Sequence, residues 1–356
     1  MGDAIDYIQP SNYIVKSTDY DDSYETPVLT PGKSFILGYT NETDGIYDAS
    51  QENVIIFDDF TTATKYVDFK FKVKSSAMKI LISKNKKEYN IKYFYYLLNT
   101  IIILVDSHKR FWISEYQPLE ITIPPYWYQK LVVDYLDVLF YKLELINKEN
   151  KKLEEYVELS KKKILDTIFG DNSSYKSYYK NRTKTTLSEL IPNDKIGDGD
   201  WILSENMDEN GEYSLIQLKH IGKGEYINKS CNHINGNFFM LNNCKEIKSN
   251  YLLINRLVAN DMNVCLLPSL GFKCITSVDV CWIAPSDSYN QKYLMYYLLS
   301  PDFQNKVKMK CSGSTRKRIS KNNLVKIELY IHDYENQQRI VCEIERMFHE
   351  LDSIIS

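Results

Sequence analysis

The stretch "YQKLVVDYLDVLFYKLELINKENKKLEEYVELSKKKILDTIF", Tyr128 to Phe169, contains neither proline nor glycine, and the first glycine after it is Gly170. Its apolar residues recur at heptad spacing between Lys and Glu, which is typical of an exposed coiled-coil helix. Asn150 takes an a-type position, where a polar residue fixes register and partner number. The sequence therefore predicts one long helix that ends at the loop signal "GDNSS". The predicted contact residues of this coil are Leu136, Leu139, Leu143, Ile146, Asn150, Leu153, Val157 and Ile164.

Passages from the first half of the chain, including the start of this helix, recur in the second half in the same order. "KYFYYLLN", from Lys92, returns as "KYLMYYLLS", from Lys292, and each is a short amphipathic helix pattern. "QKLVVDYLDVLFYKLELI", from Gln129, returns as "QRIVCEIERMFHELDSI", from Gln338. Both halves are thus predicted to run from a β-rich region through a short helix, a basic loop and a strand to a long helix.

Strand patterns fill the region before each short helix. They are "VIIFDDF", "YVDFKFKV" and "MKILIS" in the first half, and "YSLIQLKHI", "NFFML" and "CWIAP" in the second. After the basic loops, Ile121–Ile123 matches Ile327–Leu329 as a further strand. The expected fold class is α+β, with β-rich domains at 1–125 and 176–330 and coiled-coil helices at 126–175 and 331–356. The predicted contact residues of the C-terminal coil are Val341, Ile344, Phe348 and Leu351.

The composition of the chain indicates its cellular compartment. No apolar run reaches the roughly 18 residues that a membrane span needs, so we expect no membrane partner. The start "MGDAIDYIQP" has neither the basic nor the apolar region of a signal peptide. The 7 cysteines are an odd number without CxxC spacing, as expected for reduced thiols inside a cell. We therefore expect a cytoplasmic protein.

Two passages are similar to enzyme motifs but lack a required residue. "TPGKS" has Pro27 where a phosphate-binding loop needs its first glycine, and a strand pattern follows it instead of a helix. "IPPYW" has Ile123 where an amino-methyltransferase needs a side chain that accepts a hydrogen bond from a flipped base. The five histidines are scattered and form no HExxH motif. The sequence thus predicts no catalytic, cofactor-binding or metal-binding residue.

Two basic passages fit nucleic acid better. No acidic residue occurs between Asp302 and Glu328, a stretch that contains "SGSTRKRIS", and "SHKRFWIS" stands at the matching place in the first half. Lys and Arg neutralise phosphates, while hydroxyl groups and backbone amides fix the register of the protein on DNA. The candidate DNA-binding residues are Lys33, Tyr39, Lys65, Lys109, Arg110, Lys223, Ser314, Thr315, Arg316, Lys317 and Arg318.

The passages "LLSPDFQN", "SGSTRKRISKNNLVKIEL" and "ENQQRIVCEIERMF" resemble the specificity (S) subunit of type I restriction-modification enzymes. The first copy, "ISEYQPLEITIPPYWYQKLVV", and "TPGKSFILGYTNETDGIY" are similar to that family too. The resemblance implies two target-recognition domains, each reading one half of a split DNA site, on two long antiparallel helices. It also implies no catalytic residues in this chain. The implied partners are double-stranded DNA, methyltransferase (M) subunits that bind S-adenosylmethionine, and ATP-driven restriction (R) subunits.

Two other functions stay open on the sequence. A type IIB system has a comparable recognition subunit, whose partner is a fused nuclease-methyltransferase. A stand-alone DNA methyltransferase or nuclease is the alternative from a different class, and it would need a cofactor motif that we do not find in the sequence. A coiled-coil scaffold without a nucleic-acid role does not explain the doubled basic loop.

Overall fold

The chain forms two compact units, Met1–Asn147 (unit 1) and Lys148–Ser356 (unit 2). The computed structural model describes residues 1–30, 34–103, 110–170, 182–314 and 316–355. Both units combine sheets with helices, which confirms the α+β class predicted from the sequence. Within the described ranges, no helix is both long and apolar enough to cross a membrane.

Unit 1 is built on two four-stranded sheets. Its elements are β1 (Ile5–Ile8), β2 (Thr26–Leu29), β3 (Ile36–Thr40), β4 (Tyr47–Asp48), β5 (Val54–Asp58), β6 (Thr64–Val67), β7 (Lys70–Val73), β8 (Met78–Ser83) and α1 (Ile91–Leu98). The sheet orders are β1-β8-β5-β6 and β3-β2-β7-β4. Every residue of β5 is buried, as expected of a short apolar run that becomes a central strand. Phe57 of β5 packs edge to face on Trp112 and Tyr116, at ring-centroid distances of 5.3 and 5.0 Å.

Unit 2 contains three sheets and most of the helices. Its strands are β9 (Arg182–Thr186), β10 (Ile196–Asp198), β11 (Tyr213–Ile216), β12 (Asn232–Ile234), β13 (Leu252–Asn255), β14 (Val264–Leu266), β15 (Lys273–Thr276), β16 (Val280–Ile283) and β17 (Glu328–His332). Its helices are α3 (Leu187–Leu190), α4 (Gly236–Leu241), α5 (Gln291–Leu299), α6 (Pro301–Lys310), α7 (Lys321–Leu324) and α8 (Tyr334–Asp352). The sheet orders are β10-β16-β13-β14, β12-β11-β15 and β17-β9.

The long predicted helix is present as α2 (Tyr126–Phe169), 44 residues in one element. It begins directly after Pro124 and Pro125, since proline is tolerated next to a helix start but not inside a helix. The division between the two units falls at Asn147, inside α2. The boundaries 1–125, 126–175, 176–330 and 331–356 therefore stay predictions about function.

The internal repeat extends to side-chain contacts. In unit 1 the rings of Tyr96 and Phe140 stack at 5.5 Å. In unit 2 the rings of Tyr296 and Phe348 meet edge to face at 5.6 Å. Each pair joins the short helix of its unit to the long helix that follows, so the repeated sequence produces a repeated packing.

The structure corrects the alignment of the two long helices by one residue. Gln129 and Gln337 are both 1% exposed and make equivalent hydrogen bonds, whereas Gln338 is exposed. Gln338 had seemed the match from its letters alone, because two glutamines follow each other in the second copy. Burial and hydrogen bonding identify Gln337 as the equivalent residue.

Two predicted strands are wrong. "NFFML" forms α4, because Asn235 caps the helix by accepting a hydrogen bond from the Phe238 amide at 2.8 Å, and Phe239 stacks on Tyr213 at 4.1 Å. The segment Ile121–Ile123 is not a strand, although two residues of its match in unit 2, Glu328 and Leu329, begin β17 and pair with β9. Among the described residues of unit 1, no segment pairs with 121–123 as β9 pairs with β17.

Candidate nucleic-acid interface

The second basic passage forms a closed hairpin at 312–318, called the basic hairpin below; its Thr315 lies outside the described residues. The Ser312 amide donates to the Arg318 carbonyl at 2.9 Å, and the Arg318 amide donates back to the Ser312 carbonyl at 2.8 Å. Gly313 has φ of +100°, a conformation that glycine adopts readily. These two bonds close the hairpin at its base, and its exposed side chains include Ser314, Arg316 and Lys317.

The base of the hairpin is tied to the end of β13. The Val258 amide donates to the Lys317 carbonyl at 2.9 Å, and the Ile319 amide donates to the Arg256 carbonyl at 3.0 Å. Arg256 itself is 4% exposed, and its guanidinium lies 3.3 Å from the Asp198 carboxylate. The base of the hairpin is thus hydrogen-bonded to the backbone on both sides of a buried, ion-paired arginine.

The acid-free run is not free of carboxylates in space. Lys306 pairs with Asp302 at 2.6 Å and Lys308 with Asp261 at 2.9 Å. These partners lower the net positive charge that the upstream part of the run presents.

The Arg318 guanidinium is also paired, with the Asp279 carboxylate at 2.8 Å. Arg316 and Lys317 are exposed, and no ion pair involves them among the described residues. The hairpin therefore presents two uncompensated cations side by side.

Asp261 gathers three lysines, including the candidate Lys223. Its carboxylate lies 2.9 Å from Lys162, 2.9 Å from Lys308 and 3.7 Å from Lys223. Burial alone would raise the pKa of Asp261, but the bonds from Lys162 and Lys308 outweigh it and lower the pKa to about 2. Lys223 is consequently part of an ion-pair network, which weakens the case for it as a DNA contact.

The first basic passage is anchored at the corresponding place in unit 1. The Phe111 amide donates to the Asp59 carbonyl at 3.1 Å, and the Trp112 amide donates to the Asp59 carboxylate at 2.8 Å. Asp59 is buried and lies 3.5 Å from the buried ammonium of Lys79. Arg110 is exposed just before this anchor, and Lys109 lies outside the described residues. Neither Asp59 nor Lys79 is among the candidate site residues predicted from the sequence.

Two of the three other candidates of unit 1 lie on its sheets. Lys33 lies outside the described residues. Tyr39 in β3 is half-buried, and its carbonyl accepts a hydrogen bond from the Asp21 amide at 3.2 Å. Lys65 in β6 is exposed, with its ammonium 5.9 Å from the centre of the Phe35 ring. These three candidates remain predictions.

The predicted coil contacts divide into exposed and buried groups. On α2, exposure is high in the part that belongs to unit 1, and the exposed coil residues there are Leu139, Leu143 and Ile146. Asn150 is exposed and Leu153 and Leu136 are half-buried. The coil residues that lie in or against the main core of unit 2 are Ile164, Val341, Ile344 and Phe348. Val157 is buried as well, and Leu351 is half-buried.

Unit 2 therefore uses the end of α2 and most of α8 as core helices. Lys161 of α2 lies over the Phe348 ring at 5.4 Å and also pairs with Asp352. A helix face that packs on a folded core needs apolar residues at the same spacing as a coiled coil. The heptad pattern alone does not separate these two uses.

Comparisons with known proteins agree with this architecture. Residues 180–354 match the family described as type I restriction modification DNA specificity domain. The specificity subunit of the type I restriction enzyme EcoR124I/EcoR124II from Escherichia coli is 56% identical over 126 residues, which are 35% of this chain and 31% of that protein. The matched stretch is thus about a third of the length of this curated relative.

A solved structure shares the fold. A chain from a study of complex assembly and conformational transition of the type I R-M system aligns over 99% of this chain and 92% of its own length, with a TM-score of 0.59 and 14% identity. The HsdS subunit from Thermoanaerobacter tengcongensis aligns over 86% of this chain and 75% of its own, with 15% identity and a TM-score of 0.45. Residues 180–354 thus carry a type I restriction modification DNA specificity domain, and the chain is similar in sequence to a specificity subunit of a type I restriction enzyme.

Proposed function

We propose that this chain is the DNA sequence-recognition subunit of a type I restriction-modification complex and that it reads a bipartite target with its two similar units. The observation that carries the proposal is the basic hairpin, where Arg316 and Lys317 are exposed and unpaired among the described residues. Cations presented this way gain most from a phosphate, since no protein carboxylate competes for them. The hairpin also lies within the matched domain.

The proposal includes the partners expected from the family. Methyltransferase subunits would bind S-adenosylmethionine and dock on this chain, and ATP-driven restriction subunits would join them in the cleaving complex. The chain itself would bind neither cofactor and would not be an enzyme. The matched family and the E. coli relative favour this assignment over a type IIB recognition subunit and over a stand-alone methyltransferase or nuclease.

We also propose that part of the DNA target is shared with the E. coli relative. The E. coli relative is 56% identical to this chain over 126 residues, whereas a solved chain of the same fold is only 14% identical. A fold survives at low identity, whereas a surface that must contact the same bases tolerates fewer changes. Sequencing the methylated motifs of cells that carry each system would show a common part; two motifs without one would refute this proposal.

The DNA contact is tested by the double substitution Arg316→Ala and Lys317→Ala in the complex with its methyltransferase subunit. The plot of log K against log[salt] has a negative slope, and loss of two phosphate contacts should make that slope less steep by about 1.8. The matched control is Lys306→Ala with Lys308→Ala, which removes two lysines from the same run that are already paired with carboxylates. The control should leave the slope near that of the unmodified protein. Equal slopes for the hairpin variant and the unmodified protein would refute the contact.

A further inference from the structure

Arg318 differs from the two cations beside it. Its Nε atom is buried and lies 2.8 Å from an oxygen of Asp279, although the side chain as a whole is 42% exposed. Arg316 and Lys317 carry no such partner among the described residues. A guanidinium that already faces a carboxylate adds little net charge for a phosphate to meet.

Asp279 is itself held in place. It lies in the turn between β15 and β16, where the Val280 amide donates to the Ser277 carbonyl at 2.9 Å. The Asp279 carbonyl accepts a hydrogen bond from the Arg256 amide at 2.9 Å. The guanidinium of Arg256 also donates to the Val278 carbonyl in the same turn. The backbone of the turn that carries the Asp279 carboxylate is therefore held by three hydrogen bonds.

Arg318 also closes the hairpin through its backbone. It exchanges two hydrogen bonds with Ser312, and it faces Leu257 across an isolated antiparallel bridge. One residue thus joins the far strand of the hairpin, the end of β13 and the turn that carries Asp279. A residue that is held through both its backbone and its side chain is suited to orienting its neighbours.

We propose that Arg318 is a positioning residue, which Asp279 holds and which fixes the direction of the basic hairpin, and that it does not itself neutralise a DNA phosphate. This inference rests on the proposed DNA contact of Arg316 and Lys317. A hairpin held in its bound direction loses less conformational freedom when it meets DNA, and this preorganisation strengthens binding without adding a contact.

The test is a charge swap in the full chain, within its complex with the methyltransferase subunit and with a duplex that carries the motif found by methylome sequencing. Arg318→Asp alone and Asp279→Arg alone should each weaken binding by about tenfold or more, because each places two like charges together. The double variant Arg318→Asp with Asp279→Arg should return to within about threefold of the unmodified protein, since the ion pair is restored with its signs exchanged. A double variant that binds as weakly as Arg318→Asp would overturn the proposal.

The neutral variant Arg318→Gln provides a second test of the inference if the charge-swap variants do not fold. It should weaken binding a few-fold and leave the negative salt slope unchanged, whereas loss of a phosphate contact would make that slope less steep by about 0.9. A less steep slope would make Arg318 a phosphate ligand and overturn the inference. If Arg316→Ala with Lys317→Ala changes nothing while the swap still rescues the Arg318→Asp variant, the DNA contact has failed at those two residues and the positioning role has not.

Discussion

Gln129 and Gln337 make the same hydrogen bond in the two units. The side-chain oxygen of Gln129 accepts from the Asn90 amide at 2.8 Å, and that of Gln337 accepts from the Asn290 amide at 2.7 Å. Asn90 and Asn290 each cap the short helix of their unit. Each glutamine therefore joins the start of a long helix to the cap of a short one.

The glutamine bond should matter for stability. We expect Gln337→Met to lower the free energy of unfolding of unit 2 by about 1–3 kcal/mol, because the half-buried Asn290 amide and the buried His332 carbonyl both lose a hydrogen-bond partner. The neighbouring exposed residue provides the control, and Gln338→Met should change stability by less than about 0.5 kcal/mol. Urea unfolding of the full chain measures both. Equal effects at the two positions would show that the register of the repeat is wrong.

Much of the fold was predictable where a local pattern decides it. The absence of proline and glycine from 128–169 predicted the long helix, and the structure adds two residues at its start. Alternation and β-branched residues predicted the strands at 54–58, 78–83 and 280–283. At 237–241 the same apolar letters formed a helix, because Asn235 provides a cap and the ring of Tyr213 covers one face. Capping and tertiary packing there outweighed β propensity.

The charge pairing of the candidate site was not predictable. The carboxylates of Asp261 and Asp279 meet Lys308 and Arg318 from loops that are distant in sequence. A linear scan for acidic residues sees only neighbours along the chain, so it overestimates the free charge of the basic run. It could find the passage, but it could not separate Arg318 from the cations beside it.

Unit 2 should lose stability as the solution becomes acidic. His332 is 3% exposed, its ring nitrogen Nδ1 lies 2.7 Å from the Tyr293 hydroxyl, and burial, aided by the charge of Arg182, lowers its pKa to about 4. The unfolded chain titrates near 6.5, so between pH 6.5 and 4 only the unfolded state takes up this proton. The free energy of unfolding should therefore fall as pH decreases through this window, by at most about 3 kcal/mol from this residue.

The pH dependence has a direct control. His332→Gln should make the fall between pH 6.5 and 4 shallower, although burial also lowers the pKa of His220 and part of the fall will remain. His349 is exposed, and His349→Gln should leave the profile unchanged. Urea unfolding at several pH values provides the measurement, and identical profiles for His332→Gln and the unmodified chain would refute the assignment.

The purified chain should not methylate DNA by itself. The only methyltransferase-like tetrapeptide has Ile123 where a hydrogen-bond acceptor is needed, and that side chain packs against the core of unit 1. Transfer of labelled methyl groups from S-adenosylmethionine to duplex DNA measures this, with and without the methyltransferase subunit. We expect transfer only when both proteins are present. Transfer by the chain alone would contradict the recognition-subunit proposal.

Gly313 should be needed for DNA binding more than for folding. Its φ of +100° strains any residue with a side chain, and a Cβ atom there would lie 2.5 Å from the Arg316 carbonyl oxygen. Gly313→Ala must therefore move the part of the hairpin that carries Arg316. Since the hairpin is exposed, we expect the free energy of unfolding to fall by only about 1–3 kcal/mol, while DNA affinity in the complex falls by about tenfold or more.

Gly271→Ala is the matched control, because Gly271 also has positive φ but no atom lies within 4 Å of a Cβ added there. The control should lose some stability through backbone strain and keep its DNA affinity. Unchanged affinity in Gly313→Ala, or an equal loss in both variants, would mean that the shape of the hairpin does not govern binding.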